Sequence, residues 1–215
     1  MTPAPRPIRG RIQRRVARAG YTLIELLMSL AILTIGVTGV VAMQKVTISS
    51  GQHARDLAIA TQVAQAWIDQ LRTDALTWNH PSARQATSDL DQTIWLSALV
   101  GNDSTDFMLP AWSDARKFGP AFDVQGKPVD VSDPDNVPHA RFCTHIRLSW
   151  LYPETEPMLG NGLIRVEVRV FWPRDGVAPL DGNDVCGGAP DAVGAATDRY
   201  HFVYKVSAVR QNTAP

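Results

Sequence analysis

The chain has 215 residues, enough for one domain and an appendage, with 45 % apolar and 20 % charged residues, so a buried core is feasible and wholesale disorder is excluded. Twenty-one basic residues balance 21 acidic ones, without the basic excess of a dedicated nucleic-acid binder. The balance hides an asymmetry: residues 1–20 hold six arginines and no acid, leaving 15 basic against 21 acidic residues in the remainder. Such a split points to a membrane-addressed chain.

Residues 26–44 form an uncharged run bounded by Glu25 and Lys45. As a helix the run covers roughly 28 Å, close to the hydrocarbon thickness of a bilayer. With all six of those arginines on its N-terminal side, the positive-inside rule keeps residues 1–20 in the cytoplasm and exports the rest. A cleaved secretory signal would end near Ala42. The run is longer than a signal core and has a glutamate at its entrance, so a retained helix is expected.

No proline occurs between Pro7 and Pro81, which lets the apolar helix continue into the polar part of the chain. Ala60, Val63, Ala64, Trp67, Leu71 and Ala75 recur at steps of three and four, an apolar stripe meant for the protein's own core. Asn79-His80-Pro81 ends the pattern. One helix over residues 21–76 is predicted, with a transmembrane half at 21–44 and an amphipathic half at 45–78.

Residues 79–215 read as a strand-rich exported headgroup. Its first part, 81–140, is loop-rich with one short helix near 89–100. Three alternating segments follow. In the first, Phe142, Thr144, Ile146, Leu148 and Trp150 form the apolar phase; in the second, Val166, Val168, Val170 and Trp172; in the third, Tyr200, Phe202, Tyr204, Val206 and Ala208. Each is expected to be a strand with one buried face. The 152–162 connection suits an antiparallel hairpin, and 175–199 is a long Gly- and Asp-rich excursion. The fold class is therefore α+β, a long N-terminal helix packed against an antiparallel sheet.

Cys143 and Cys186 read either as two buried thiols or as a disulfide. Export favours the disulfide, which closes a loop of about 43 residues and contributes roughly 4 kcal/mol. The five histidines have no H-E-x-x-H or paired-ligand spacing, and no nucleophile elbow, P-loop or dinucleotide glycine pattern occurs. His145 and His201 fall on alternating strand positions and are expected to face solvent. The Asp133-Pro134-Asp135-Asn136 and Asp181-Gly182-Asn183-Asp184 stretches could hold calcium but lack full EF-hand spacing, and the expectation is an ordinary turn at each. No enzyme, cofactor or metal site is expected.

Arg18-Ala19-Gly20-Tyr21-Thr22-Leu23-Ile24-Glu25-Leu26-Leu27 resembles the prepilin cleavage and methylation motif of type IV pilins: a basic leader ending in glycine, then an apolar residue, then glutamate at the fifth mature position. The match continues through residues 30–39 and Met43-Gln44 and is most similar to the minor pilin PilV subgroup. Tyr21 stands where phenylalanine or methionine is usual, and Ala19 where a basic residue is frequent. No proline falls near residue 42, where major pilins place one.

The resemblance implies leader cleavage between Gly20 and Tyr21 by a prepilin peptidase, N-methylation of Tyr21, and a role for Glu25 in subunit assembly. It implies an inner-membrane protein, N-terminus cytoplasmic and headgroup periplasmic, that passes to the tip of an extracellular pilus. The implied partners are other minor pilins, the major pilin and a large tip adhesin of the PilY family, with no nucleic acid among them. The implied function is that of a minor pilin that helps initiate pilus assembly and supports twitching motility or adhesion. A minor pseudopilin of a type II secretion system and a single-pass membrane-anchored binding module are the alternatives.

Overall fold

A computed structural model describes residues 20–79, 89–153, 162–182 and 184–212. Most of the arginine leader, His80-Pro81, most of the 152–162 connection and Asn183 lie outside the described residues. The chain divides into two compact units, one ending at Ser50 and the other starting at Gly51.

Helix α1 spans Leu23–Asp74, 52 residues, two short of the sequence expectation at each end. Its first unit exposes an apolar surface long and hydrophobic enough to cross a membrane. From Ala60 onward the helix turns amphipathic, and all six residues of the expected stripe are buried. Ile68, Asp74 and Trp78 are buried with them. Trp67 is fixed edge-on by Trp95 at 5.2 Å and by Phe118 at 4.8 Å, an aromatic geometry that adds to area burial.

Five antiparallel strands form one sheet in the order β2-β1-β3-β4-β5. β1 (Ala121–Phe122) and β2 (Pro128–Val129) are two-residue pieces without a periodic signal in the sequence. β3 (Phe142–Tyr152) and β4 (Leu163–Pro173) are the expected hairpin, and β5 (Tyr200–Arg210) completes the sheet. Ile146, Leu148, Ile164, Val166, Val168 and Val170 face the helix stripe and share its core. The region expected to hold one helix near 89–100 forms two short 3₁₀ turns instead, Asp89–Gln92 and Leu96–Leu99.

The third strand lies in the opposite phase from that expected. The register sets Val203, Lys205 and Ser207 against Val170, Val168 and Val166, so the odd-numbered residues of β5 lie on the helix side. Tyr204 and Val206 fall on the outer face, 56 % and 54 % exposed. Directly opposed residues in an antiparallel pair share a face, and that constraint overrides the composition of a single strand. Lys205 reaches Gln65 of α1 by a hydrogen bond, and Arg72 Nη2 donates to Ser207 Oγ at 3.2 Å. Polar residues on this phase are thus tolerated at the margin of the core.

A second departure concerns the sheet's outer face, which is not solvated throughout. The 175–199 excursion, with helix α2 (Pro190–Ala195), folds over the Cys143 end of β3 and the Phe171 end of β4. There it builds a smaller core of Ala121, Cys143, Phe171, Val185, Cys186, Val193 and Tyr200.

Candidate functional site

The residues singled out at the N-terminus lie at the start of α1. Gly20 and Tyr21 precede the helix and are exposed, Tyr21 at 84 %. Thr22 is the last non-helical residue, and its Oγ1 accepts the Glu25 backbone N–H at 3.3 Å while its carbonyl accepts Leu26 N–H at 3.2 Å. Thr22-x-x-Glu25 is the sequence pattern of a capping box, a signal present in the chain that the motif-based reading passed over. The helix therefore begins two residues after Tyr21's N-terminal bond, which leaves Gly20 and Tyr21 outside the helix and exposed. Glu25 sits in the first turn, where a carboxylate complements the helix dipole.

Polar residues within the apolar stretch satisfy themselves locally. Ser29 Oγ donates to the Glu25 carbonyl at 2.8 Å, Thr34 to Leu30 at 2.7 Å, Thr38 to Ile35 at 2.9 Å and Thr47 to Met43 at 2.9 Å. A hydroxyl bonded to its own helix needs no water, as a bilayer core demands. No group lies close to the position a Cβ would take at Gly36 or Gly39, so both leave open steps on the helix surface.

In the headgroup, Cys143 and Cys186 are joined by a disulfide with Cα atoms 5.5 Å apart, tying β3 to the excursion. Asp184, from one of the acid-rich stretches, accepts the Cys186 N–H at 2.8 Å and so shapes the approach to the bond. Asp133, from the other, accepts the Asp135 N–H at 3.0 Å and caps the 3₁₀ turn Pro134–His139. These carboxylates serve the backbone. Among the described residues no group of three His, Cys, Asp or Glu is placed to hold a metal ion.

Two histidines depart from expectation. His145 is fully buried beneath the excursion, its ring 4.7 Å from that of Phe171. Arg169 Nη2 reaches His145 Nδ1 at 2.7 Å and donates to the Pro190 carbonyl at 2.7 Å. Guanidinium only donates, so Nδ1 must be the unprotonated nitrogen and Nε2 carries the hydrogen. Burial, aided by the adjacent Arg169 charge, lowers the His145 pKa to about 3. Gly194 of α2 permits this arrangement, because a Cβ there would lie 2.5 Å from Arg169 Nη1. His201 is half-buried against Trp172 at 5.3 Å and His53 at 4.6 Å. Burial first, then Arg174 and His53, lower its pKa.

Asp74, absent from the residues singled out in the sequence, is a buried polar anchor at the end of α1. Its carboxylate accepts the N–H groups of Ile94 (2.9 Å), Trp95 (2.8 Å) and Leu96 (3.2 Å), with Arg116 at 3.8 Å. It holds the 93–99 turns against the end of α1.

No curated protein and no solved structure matches the chain. One family profile does: the prokaryotic N-terminal methylation motif, over residues 15–41, which includes Gly20, Tyr21 and Glu25. The motif implies processing by prepilin peptidase and assembly with other pilins, and with the apolar half of α1 it fits an inner-membrane anchor. Together with the long helix and the five-stranded antiparallel sheet, it supports a structural, type IV pilin-like protein, either a pilin or a pseudopilin.

Proposed function

We propose that this chain is a minor type IV pilin, of the PilV kind, that helps initiate pilus assembly and takes a place near the pilus tip. The observation that carries the proposal is the Gly20-Tyr21…Glu25 arrangement at the capped start of an apolar helix, inside the matched methylation motif. In this reading residues 1–20 are a leader, removed at the cytoplasmic face by prepilin peptidase. Residues 21–44 stay in the inner membrane, 45–78 form the amphipathic half of the helix, and 79–215 are the periplasmic headgroup. Cleavage turns an amide nitrogen into a free amine at Tyr21, which is then methylated. A neighbouring subunit offset along the bundle places that cation level with Glu25, and the pair selects processed partners and sets their stagger.

The absence of proline between Pro7 and Pro81 separates the chain from major pilins and supports a role in small numbers beside other minor pilins and the major pilin. A large tip adhesin of the PilY family is the partner proposed for the tip, and twitching motility or adhesion the activity served.

Mass spectrometry of the mature N-terminus, on protein from the native host, tests the reading. A chain starting at methylated Tyr21 is expected. An intact leader, as a membrane-anchored binding module would keep, or cleavage near Ala42 would overturn it. Recovery of the processed chain with a type II secretion pseudopilus, and not with pili, would replace minor pilin by minor pseudopilin.

A further inference from the structure

β5 is the outermost strand of the sheet. It pairs with β4 over all eleven residues without a register shift. Hydrogen bonds at both ends fix the direction of its backbone groups. Gln211 N–H donates to the Gly162 carbonyl at 2.9 Å, and the Arg199 carbonyl accepts Arg174 N–H at 2.8 Å. Because antiparallel pairing alternates, residues 201, 203, 205, 207 and 209 direct their N–H and C=O toward β4. Those of Phe202, Tyr204, Val206 and Ala208 point the other way, and no described residue bonds them.

Exposed edges in soluble proteins are usually guarded by shortness, a bulge, proline or charged side chains, inward-pointing ones included. The opposite edge of this sheet is guarded in that way, since β2 has only two residues and one is Pro128. β5 lacks the first three of these guards, and its charges are Lys205 and, at its last residue, Arg210. It is long and regular, its lysine is turned inward to Gln65, and Tyr204 and Val206 stand exposed beside the unbonded backbone. Free main-chain groups with alternate apolar side chains are the recognition chemistry of strand addition.

Charge selects among candidate strands. β5 carries Lys205 and Arg210 and no acidic residue, so a second copy of β5 would bring like charges and no carboxylate. On the outer face Arg147 and Arg165 share the single carboxylate of Glu167, and Arg210 has no ion-pair partner among the described residues. The surface beside the edge is thus cationic in excess.

We propose that the free edge of β5 is a strand-addition site for a different pilin-like subunit. That subunit lays an extended segment along residues 202–208, with apolar side chains beside Tyr204 and Val206 and, just beyond that stretch, a carboxylate that reaches Arg210. The partner's class rests on the pilin-like reading; the edge does not.

The test uses the full-length chain in its native host, with a photo-cross-linking phenylalanine analogue in place of Tyr204 and, as a control, in place of exposed Val124. The expected result is a Tyr204-site adduct, absent from the control site, to an acid-containing segment of another processed pilin-like subunit. Val206→Pro removes only an N–H that points away from β4 and should lower the adduct at least tenfold, with leader removal and disulfide formation unchanged. Val206→Ala keeps the N–H and should retain at least half of the adduct. Should the proline variant lose its disulfide, Arg210→Glu provides the same test, again with a tenfold loss expected. Adducts only between copies of this chain, adducts that survive Val206→Pro in folded protein, or no adducts would each overturn the proposal. An unprocessed leader on the parent chain would overturn the partner's class, whereas a specific, proline-sensitive adduct would still establish the edge as a docking site.

Discussion

Burial and Arg169 together hold His145 in its neutral form: the guanidinium donates to Nδ1 across 2.7 Å, within a pocket closed by Phe171 and the carbonyl of Pro190. A second positive charge there would face Arg169 directly, with no carboxylate bonded to either group among the described residues.

Acid sensitivity follows from that pair. The unfolded chain protonates His145 below its ordinary pKa near 6.5, whereas the folded chain resists protonation until about 3. Full stability is therefore present above pH 6.5 and is lost as pH falls through this window, by about 1.4 kcal/mol per unit from this residue. Urea unfolding between pH 7 and pH 4.5 should show that slope, and His145→Gln should reduce it by about one proton. An unchanged slope in the variant would refute the assignment.

Asp74→Ala strips three backbone N–H groups of their shared acceptor in a buried site. A loss of about 3–5 kcal/mol is expected, by the cost of leaving buried donors unsatisfied. Asp74→Asn keeps one acceptor oxygen and should lose about half as much. Denaturant midpoints of the full chain in detergent measure both.

Removing the Cys143–Cys186 bond by a double serine substitution should cost about 2–5 kcal/mol. The loss should appear first as proteolysis within residues 175–199, because the bond anchors that excursion over the outer face of the sheet. Cleavage confined to other segments would contradict this role.

Glu25→Gln tests charge apart from helix start. The cap bond at Thr22 uses the Glu25 backbone N–H, which the substitution keeps, so insertion and headgroup folding should be unchanged. Incorporation into the assembling filament, read by immunoblotting sheared pili, should fall at least tenfold in both Glu25→Gln and Glu25→Ala. Parental incorporation in both variants would reduce Glu25 to a boundary residue.

The long helix, its buried stripe and the β3–β4 hairpin were legible because each rests on a local period that one neighbouring surface satisfies. β5 was legible as a strand but not in its facing, since apolar residues occupy both of its phases and only pairing with Val166, Val168 and Val170 decides between them. His145 was misplaced for a related reason: alternation describes a strand and carries no information on what folds over it from 30 to 50 residues further along. Asp74 looks like any charged residue near a helix end. Its burial depends on the backbone of residues 94–96, which no side-chain pattern reports. At the N-terminus the glycine, the apolar residue and the glutamate were readable as a motif, and the threonine cap beside them was equally readable from its spacing.

The ties between α1 and β5 also have a mechanical meaning. Gln65 meets Lys205, Arg72 meets Ser207, and just beyond the helix the Trp78 carbonyl accepts Asn212 N–H at 2.9 Å. These attachments are spaced along the same two segments, so tension drawn through this part of the helix loads them side by side and does not peel them apart one at a time. Slippage requires several to break together, along with the contacts of Ala60, Ala64, Trp67 and Leu71 beneath them. A subunit tethered by its helix in a filament under traction would transmit force into its sheet as shear, the direction in which such a joint is hardest to open.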